Sequence, residues 1–524
     1  MTQLVHELIY EAASRDPEAP ALRYIGARTS YGALAVMVEA VAAGLCALGV
    51  QPGDRVALYL PKREEAVCTL FGAAAAGCAF VAIDPSSTPA QAGAVLRDSG
   101  ARVLVSSAER IATLAGELAQ CPLLRTLVAC GAPGVVADGR ELVHWDALVR
   151  AGAGARPPAR IDDDMAALVY MQGGPRPGAL VLSHRNLVAT ARALQRCLHL
   201  RHDDRLLAAL PLSADFGLHQ LSASFAAGAA AVLLNPMLAR DVVRAVGEEG
   251  ITALAAMPSL WGEMAQLAWP GGGTLRVAVN AGGVLPPPTV AALRRLLPRA
   301  RLVLMYGQAE GFRATCLAQE EIEQRPGSIG RPLTQAGVLV LRPDGSPCPP
   351  GEAGELVQRG ALVAQGYWND PARTRDSFRF LPARPALGLR ETAFWSGEPV
   401  TFDDDGYLYP AGAGEAIIRT GGRRVRAGDI EDIVCSTGLV EEVAAFGVAH
   451  PVMGQVIALQ ARARTGCTLD SARLFEACRA RLPEHMLPAM VDVRRSPLPR
   501  DQHGHIDRSL LAEEMSMLFA EVAQ

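Results

Sequence analysis

The sequence predicts an α/β protein: a large N-terminal domain of mostly parallel α/β sheets with a β-rich subdomain, and a small α+β C-terminal domain on a hinge. Three observations predict it. Apolar segments with helix and strand spacing alternate over residues 30–150 and again over 165–310. After residue 325 short strands with Gly, Pro and Asp turns take over, as in LVLRPDGSPCPPGEAGELVQRG and TFDDDGYLYPAG. A glycine-punctuated junction, GAGEAIIRTGG at 412–422, then opens a new α+β pattern. A chain of 524 residues is too long for one core. The expected division is 1–412 and 413–524.

The elements follow in order. Residues 31–48 have helical apolar spacing and stop at Gly49. Residues 55–60 read as a strand, 62–77 as a helix, 79–83 as a strand, 89–99 as a helix closed by Gly100, and 101–105 as a strand. This rhythm implies parallel strands with helices on both faces. A second run is expected from 165. Its strands are 166–170, 205–210, 230–234, 253–256, 275–280 and 302–305. Helices start at Ser183, near 218, at Ala239 and at Pro287. In the last part, helices are expected at 428–436 and 471–482 and from Asp507. Strands are expected at 440–447, 456–463 and 490–493.

Composition narrows the function classes. The chain has 50 basic and 54 acidic side chains, a net charge of -4, and one lysine, Lys62. Balanced charge argues against bulk electrostatic binding of nucleic acid. The apolar stretches 67–83 and 221–234 each read as a buried helix followed by a strand, so no membrane span is expected. The N-terminus shows no basic n-region or apolar h-region. Eleven cysteines without a C-x-x-C pair fit reduced thiols and a cytoplasmic location, and not a zinc site.

Five strings in order resemble the adenylate-forming superfamily of acyl-CoA synthetases, luciferases and peptide-synthetase adenylation domains. They are LVYMQGGPRPGALVLSHRNL, LMYGQAEGFRAT, FWSGEPVTFDDDGYLY, IIRTGGRRVRAGDIEDIV and LPRDQHGHIDRSLL. With ALYLPKREEAV, AGGVLPPPTV, SIGRPL and QRGALVAQGYWND they look most like the acyl-CoA ligases associated with exosortase A systems. The resemblance implies ATP or AMP and Mg²⁺ as cofactors, and a carboxylic acid converted to an acyl-adenylate. A thiol acceptor, CoA or an acyl carrier protein, then takes the acyl group.

The resemblance also assigns residues. Tyr306 and Gly307 lie at the adenine, Glu310 holds Mg²⁺, and Glu398 takes the place of the ribose-binding Asp. Gly173, Gly174 and Arg176 stand in the phosphate loop, where Arg176 is either a phosphate contact or a solvated loop residue. Asp215, Phe216, Gly282 and Gly283 are acyl-pocket candidates, and Trp261 and Met257 nearby in sequence favour an apolar acid. Glu415 sits in the hinge, Gly422 in the loop that frames the thiol tunnel, and His505 in the catalytic lysine slot.

Several slots depart from the pattern. The phosphate loop, YMQGGPRPGALVLSH, is one residue short and lacks hydroxyls. Its lysine slot holds Gly178, and Pro175 and Pro177 remove backbone donors. The hinge arginine is Ala413. His505 can donate one hydrogen bond but carries no permanent charge; His503 with His505 reads as two loop histidines or a weak metal pair. Losing one preorganised donor typically costs ~10²–10³ in rate. Three readings follow: a ligase with impaired ATP-dependent adenylation, a non-catalytic binding protein, or a transferase acting on a supplied adenylate. Arginine drift would put arginine in the lysine slots. They hold glycine and histidine, so the slots that need a cation have lost it without a basic substitute.

Overall fold

The computed structural model describes residues 3–131, 140–151, 159–171, 178–283, 285–382, 391–411, 417–421, 423–450, 453–464, 467–500 and 506–522. An eight-stranded sheet runs Gly366–Tyr367, Gly178–Ser183, Met165–Met171, Ala79–Ala82, Arg55–Tyr59, Val103–Ser107, Thr126–Cys130, Glu141–His144. A nine-stranded sheet runs Arg331–Pro332, Phe312–Ala318, Arg301–Gln308, Val277–Asn280, Ala253–Ala256, Arg205–Ala208, Ala230–Leu233, Pro20–Tyr24, Ala27–Ser30. The central pairs of both are parallel, as the helix–strand alternation requires.

Helices Tyr31–Ala47, Glu64–Ala75 and Asp215–Ala227 contribute to one continuous core with strands of both sheets. Helix Glu64–Ala75 is buried from Ala66 to its end, which explains its Ala- and Gly-rich, non-amphipathic sequence. At Gly72 a Cβ would lie 2.6 Å from Val41 Cγ1, so the two helices approach too closely for a larger residue. Phe225 meets Tyr31 and Phe71 edge-on at 6.1 and 5.2 Å, and the Tyr31 hydroxyl donates to Ala229 O at 2.7 Å. Each such aromatic pair adds about 1 kcal/mol beyond its buried area.

Lys62 joins the two sheets. It was expected as a helix-start residue and precedes helix Glu64–Ala75, but its side chain is buried. Its Nζ donates to Ala209 O at 2.9 Å and Leu210 O at 3.2 Å. Its backbone exchanges hydrogen bonds with the Asn235 amide. Burial lowers the ammonium pKa to about 8, opposed by the nearby Asp84 charge.

The β-rich subdomain is a five-stranded sheet of Gly337–Leu341, Gly354–Arg359, Thr392–Phe402 and Phe378–Phe380, with Leu408–Pro410 on the long third strand. The smaller C-terminal domain carries the sheet Arg423–Arg426, Ile417–Thr420, Gly454–Ala463, Val440–His450, with Met490–Arg494 beside Gly454–Ala463. Its helices Ala427–Cys435 and Ser471–Arg481 cover one face.

One expectation is corrected. The strand near 166–170 was assigned to the second run, yet Met165–Met171 pairs with Ala79–Ala82 in the eight-stranded sheet. Its burial pattern is apolar along five consecutive residues, so it carries no face or register preference that names its neighbour.

Candidate active site

Strand Arg301–Gln308 ends in a turn that reverses into Phe312–Ala318, with a register shift after Tyr306. Gly307 lies in this shifted pairing, opposite Arg313. Phe312 has φ +52°, a left-handed conformation unusual for a bulky residue, and packs on His219 at 4.1 Å. The turn presents Glu310, which is buried. Its Oε1 accepts a hydrogen bond from the Tyr367 hydroxyl at 2.8 Å, and its backbone O accepts from Ala364 N at 2.8 Å. Burial and the Glu310 charge raise the Tyr367 pKa well above the usual range, so the phenol stays a donor. Arg373 Nη2 stands 3.9 Å from the same Oε1, with the guanidinium 4.0 Å over the Tyr367 ring.

A second buried carboxylate, Glu398, follows Gly397 in strand Thr392–Phe402, where Gly397 has φ +69°. The Glu398 N–H donates to Ser396 Oγ at 3.1 Å, and Gly397 N–H to Glu355 Oε1 at 2.9 Å, so the bend is held from both sides. Arg419 Nη2, on strand Ile417–Thr420 of the C-terminal sheet, donates to Glu398 Oε1 at 3.0 Å and to the Tyr306 hydroxyl at 3.4 Å. Its guanidinium lies 5.1 Å from the Tyr306 ring centre. Gln308 Nε2 donates to Ser396 O at 3.4 Å and closes this side.

The structure therefore links Tyr306 and Glu398 through Arg419 and ties the end of the Tyr306 strand, from which the Glu310 turn leaves, to Ser396 beside Glu398. The pocket candidates are less united. Asp215 opens helix Asp215–Ala227. Phe216 is buried and lines a small apolar cavity with Leu194, Gln220, Ala223, Ala255 and Val279. Gly282 has φ +92°, and a Cβ on Gly283 would lie 3.2 Å from Pro258 Cγ. Trp261 corrects an expectation: it is fully buried and donates to Val279 O at 3.0 Å, so it fills the core and walls no open pocket. Proximity in sequence to the pocket glycines misled, because its helix turns the indole inward.

Gly173, Gly174, Arg176, Ala413, Glu415, Gly422, His503 and His505 lie outside the described residues. Gly178 is described and opens strand Gly178–Ser183. Two guanidiniums from other parts of the chain stand at the two carboxylates. Tyr367, Arg373 and Arg419 were missed as site residues. Tyr367 lies inside QRGALVAQGYWND and Arg419 inside IIRTGG, both strings that carried the resemblance, but nothing in either string singles out the residue.

Among the described residues no group of three or more His, Cys, Asp or Glu side chains is arranged to hold a metal ion. Glu310 alone fits Mg²⁺ only as one ligand beside phosphate oxygens, the usual protein share for this ion. Among the described residues no helix is long and apolar enough to cross a membrane.

The chain matches the model of the AMP-binding enzyme over residues 9–368 and that of the AMP-binding enzyme C-terminal domain over 429–505. It is 29% identical over 485 residues to a feruloyl-CoA synthase of Amycolatopsis sp, covering 92% of this chain and 93% of that protein. It is 27% identical over 528 residues to an L-proline–[L-prolyl-carrier protein] ligase of Pseudomonas fluorescens, covering 98% and 99%. The amide bond synthetase McbA of Marinactinospora thermotolerans superposes with a TM-score of 0.79 at 22% identity, covering 97% of this chain and 99% of that one. At that identity the superposition speaks for the fold alone.

Proposed function

From the premise that this chain belongs to the AMP-binding enzyme family, we propose that it binds the adenylate of an apolar carboxylic acid and passes the acyl group to a thiol, with ATP-dependent adenylation slowed. What supports this is the turn that carries Tyr306 and the buried Glu310, with Arg419 bridging Tyr306 to the buried Glu398. The acid is of the fatty or aryl kind, in line with the feruloyl-CoA synthase among its relatives. The thiol belongs to CoA or an acyl carrier protein, as in the prolyl-carrier ligase relative. The exosortase A-type ligases are the subgroup its strings resemble.

In this reading Tyr306 stacks on the adenine, and Glu398 accepts hydrogen bonds from ribose hydroxyls. Glu310 lies toward the phosphate and is the residue to hold Mg²⁺ when nucleotide oxygens complete the shell. The ion would neutralise phosphate charge. The chain's own share is orientation: Tyr367 fixes the Glu310 carboxylate, and the Gly397 bend fixes Glu398. Expulsion of pyrophosphate is the demanding step, since charge builds on three phosphates at once. Thiol attack on a ready adenylate asks less: the C–S bond forms as the acyl C–O bond breaks, the thiol loses its proton, and AMP leaves with the charge on a single phosphate.

Two assays on the full chain test this. Pyrophosphate exchange with a panel of fatty and aryl acids should stay near background. Thioester formation from a synthetic acyl-adenylate and CoA, or a phosphopantetheinyl carrier protein, should exceed the uncatalysed rate. Exchange at a rate normal for a ligase overturns the slowed first step. No thioester from any adenylate leaves the non-catalytic binding reading in its place.

A further inference from the structure

Resting on the nucleotide reading above, we propose that Arg373 supplies the phosphate-facing charge of this site. Its ligand is then the single phosphate of a nucleoside monophosphate or acyl-adenylate. The residue comes from helix Pro371–Ser377, about two hundred residues beyond the phosphate loop.

Backbone pairing explains how it arrives there. Strand Gly366–Tyr367 runs antiparallel to Gly178–Ser183, with Tyr367 opposite Leu180. The helix that follows is tied back to this strand, since Tyr367 N–H donates to Thr374 Oγ1 at 2.9 Å. Asp370 caps the helix by accepting from Arg373 N–H at 2.9 Å. The side chain of Arg373 is thereby directed at the start of the neighbouring strand. A Cβ built on Gly178 would stand 3.5 Å from Arg373 Nη1 and 3.6 Å from Met171 Cε. The place from which a side chain at 178 would rise is therefore in van der Waals contact with this guanidinium.

The surroundings leave the guanidinium poised. Its face rests 4.0 Å over the Tyr367 ring, which restrains its plane. Glu310 Oε1 at 3.9 Å biases the charge but is too far for a hydrogen bond. Among the described residues the guanidinium donates no hydrogen bond, and its side chain is 36% exposed. A planar fork with uncommitted N–H donors matches the oxygens of one phosphate. A triphosphate would bring more negative charge than one guanidinium beside a carboxylate can balance, and Arg419 is already bonded to Glu398.

The test is calorimetry on the full chain with AMP and with adenosine, in magnesium-free buffer. Adenosine lacks only the phosphate, so it reads the nucleoside contacts alone and also reports that each variant is folded. Wild type should bind AMP more tightly than adenosine. Arg373→Ala should lose AMP affinity by about tenfold, the scale of a charge-assisted pair, and keep adenosine affinity within about twofold. Arg373→Lys should retain part of the difference. Gly178→Lys added to Arg373→Ala should regain most of it, because the new ammonium rises from the adjacent position. An unchanged AMP affinity in Arg373→Ala, or an equal loss for both ligands, overturns the assignment. Equal binding of AMP and adenosine by wild type overturns it while leaving the nucleotide reading intact. Binding of neither overturns both.

Discussion

Glu310 and Glu398 are the same residue type in nearly the same burial, and each faces an arginine that lies over a tyrosine ring. The couples nevertheless differ in kind. Arg373 and Glu310 both belong to the large domain and stand 3.9 Å apart. Arg419 comes from the C-terminal sheet and donates directly to Glu398 at 3.0 Å. The first couple leaves its donors open to a ligand. The second uses its donors to hold two parts of the molecule together, so any rotation of the C-terminal domain must break it. The closer pair here is the one that joins the two domains, and the looser pair is the one proposed to take a ligand.

The largest break comes from acid, which reaches the scaffold of the first couple through two buried histidines. Strand Gly178–Ser183 runs straight into helix His184–Leu198, where His184 Nδ1 accepts from Val5 N–H at 3.2 Å beside His6. Burial lowers both histidines from 6.5 to about 4. Between those values the unfolded chain binds more protons than the folded one, so stability is whole above pH 6.5 and drains as pH falls toward 4. Each histidine accounts for roughly 2 kcal/mol by pH 4.5. The melting temperature should fall steeply across this window, and His6→Gln should flatten the fall. A flat profile would show that these histidines are already charged when folded.

Next in size is Glu398→Ala, which leaves Arg419 partly buried without its carboxylate. Loss of about 2 kcal/mol in urea unfolding is expected, below the full figure for a buried pair because Arg419 keeps some solvent. Adenosine affinity should fall with it. A variant as stable as wild type would make this couple a surface contact and erase the contrast with Glu310.

Tyr367→Phe sharpens the first couple. It removes the hydroxyl that holds Glu310 and keeps the ring beneath Arg373. The expected cost is about 1 kcal/mol, with the AMP-to-adenosine affinity ratio preserved, since the guanidinium stays in place. Collapse of that ratio would assign the orientation of Arg373 to the hydroxyl instead of the ring.

The smallest effect is expected from Arg419→Ala. It removes one competitor for the Glu398 oxygens, so adenosine should bind roughly threefold more tightly, the worth of a partly exposed pair. AMP should gain equally. Weaker adenosine binding would make Arg419 a nucleoside contact and not a competitor.

Legibility in the sequence followed pattern strength. Most helices and strands of the two α/β runs were readable, because buried strands and capped helices leave runs and stops such as the one at Gly100. Strand Met165–Met171 was found but placed in the wrong sheet, since an apolar strand does not name its neighbour. Tyr306, Glu310 and Glu398 were named as candidates from motif order. Arg373 and Arg419 were not, because a guanidinium at the end of a long flexible side chain is aimed by packing and not by spacing.

The single lysine shows the same division. Its count and the glycine at 178 are properties of the chain alone, and they are what leads to the expectation that the lysine slots of the resembled family hold no lysine. Burial of Lys62 against the Ala209 and Leu210 carbonyls, which makes it a clamp between sheets, depends on two strands far apart in sequence. So does the arrival of Arg373 beside Gly178, which rests on the pairing of Tyr367 with Leu180. Composition and motif order determined the fold class and named the candidate carboxylates, because both rest on local sequence pattern. Only tertiary structure decided where positive charge stands, because long flexible side chains take their positions from neighbours the sequence does not place next to them.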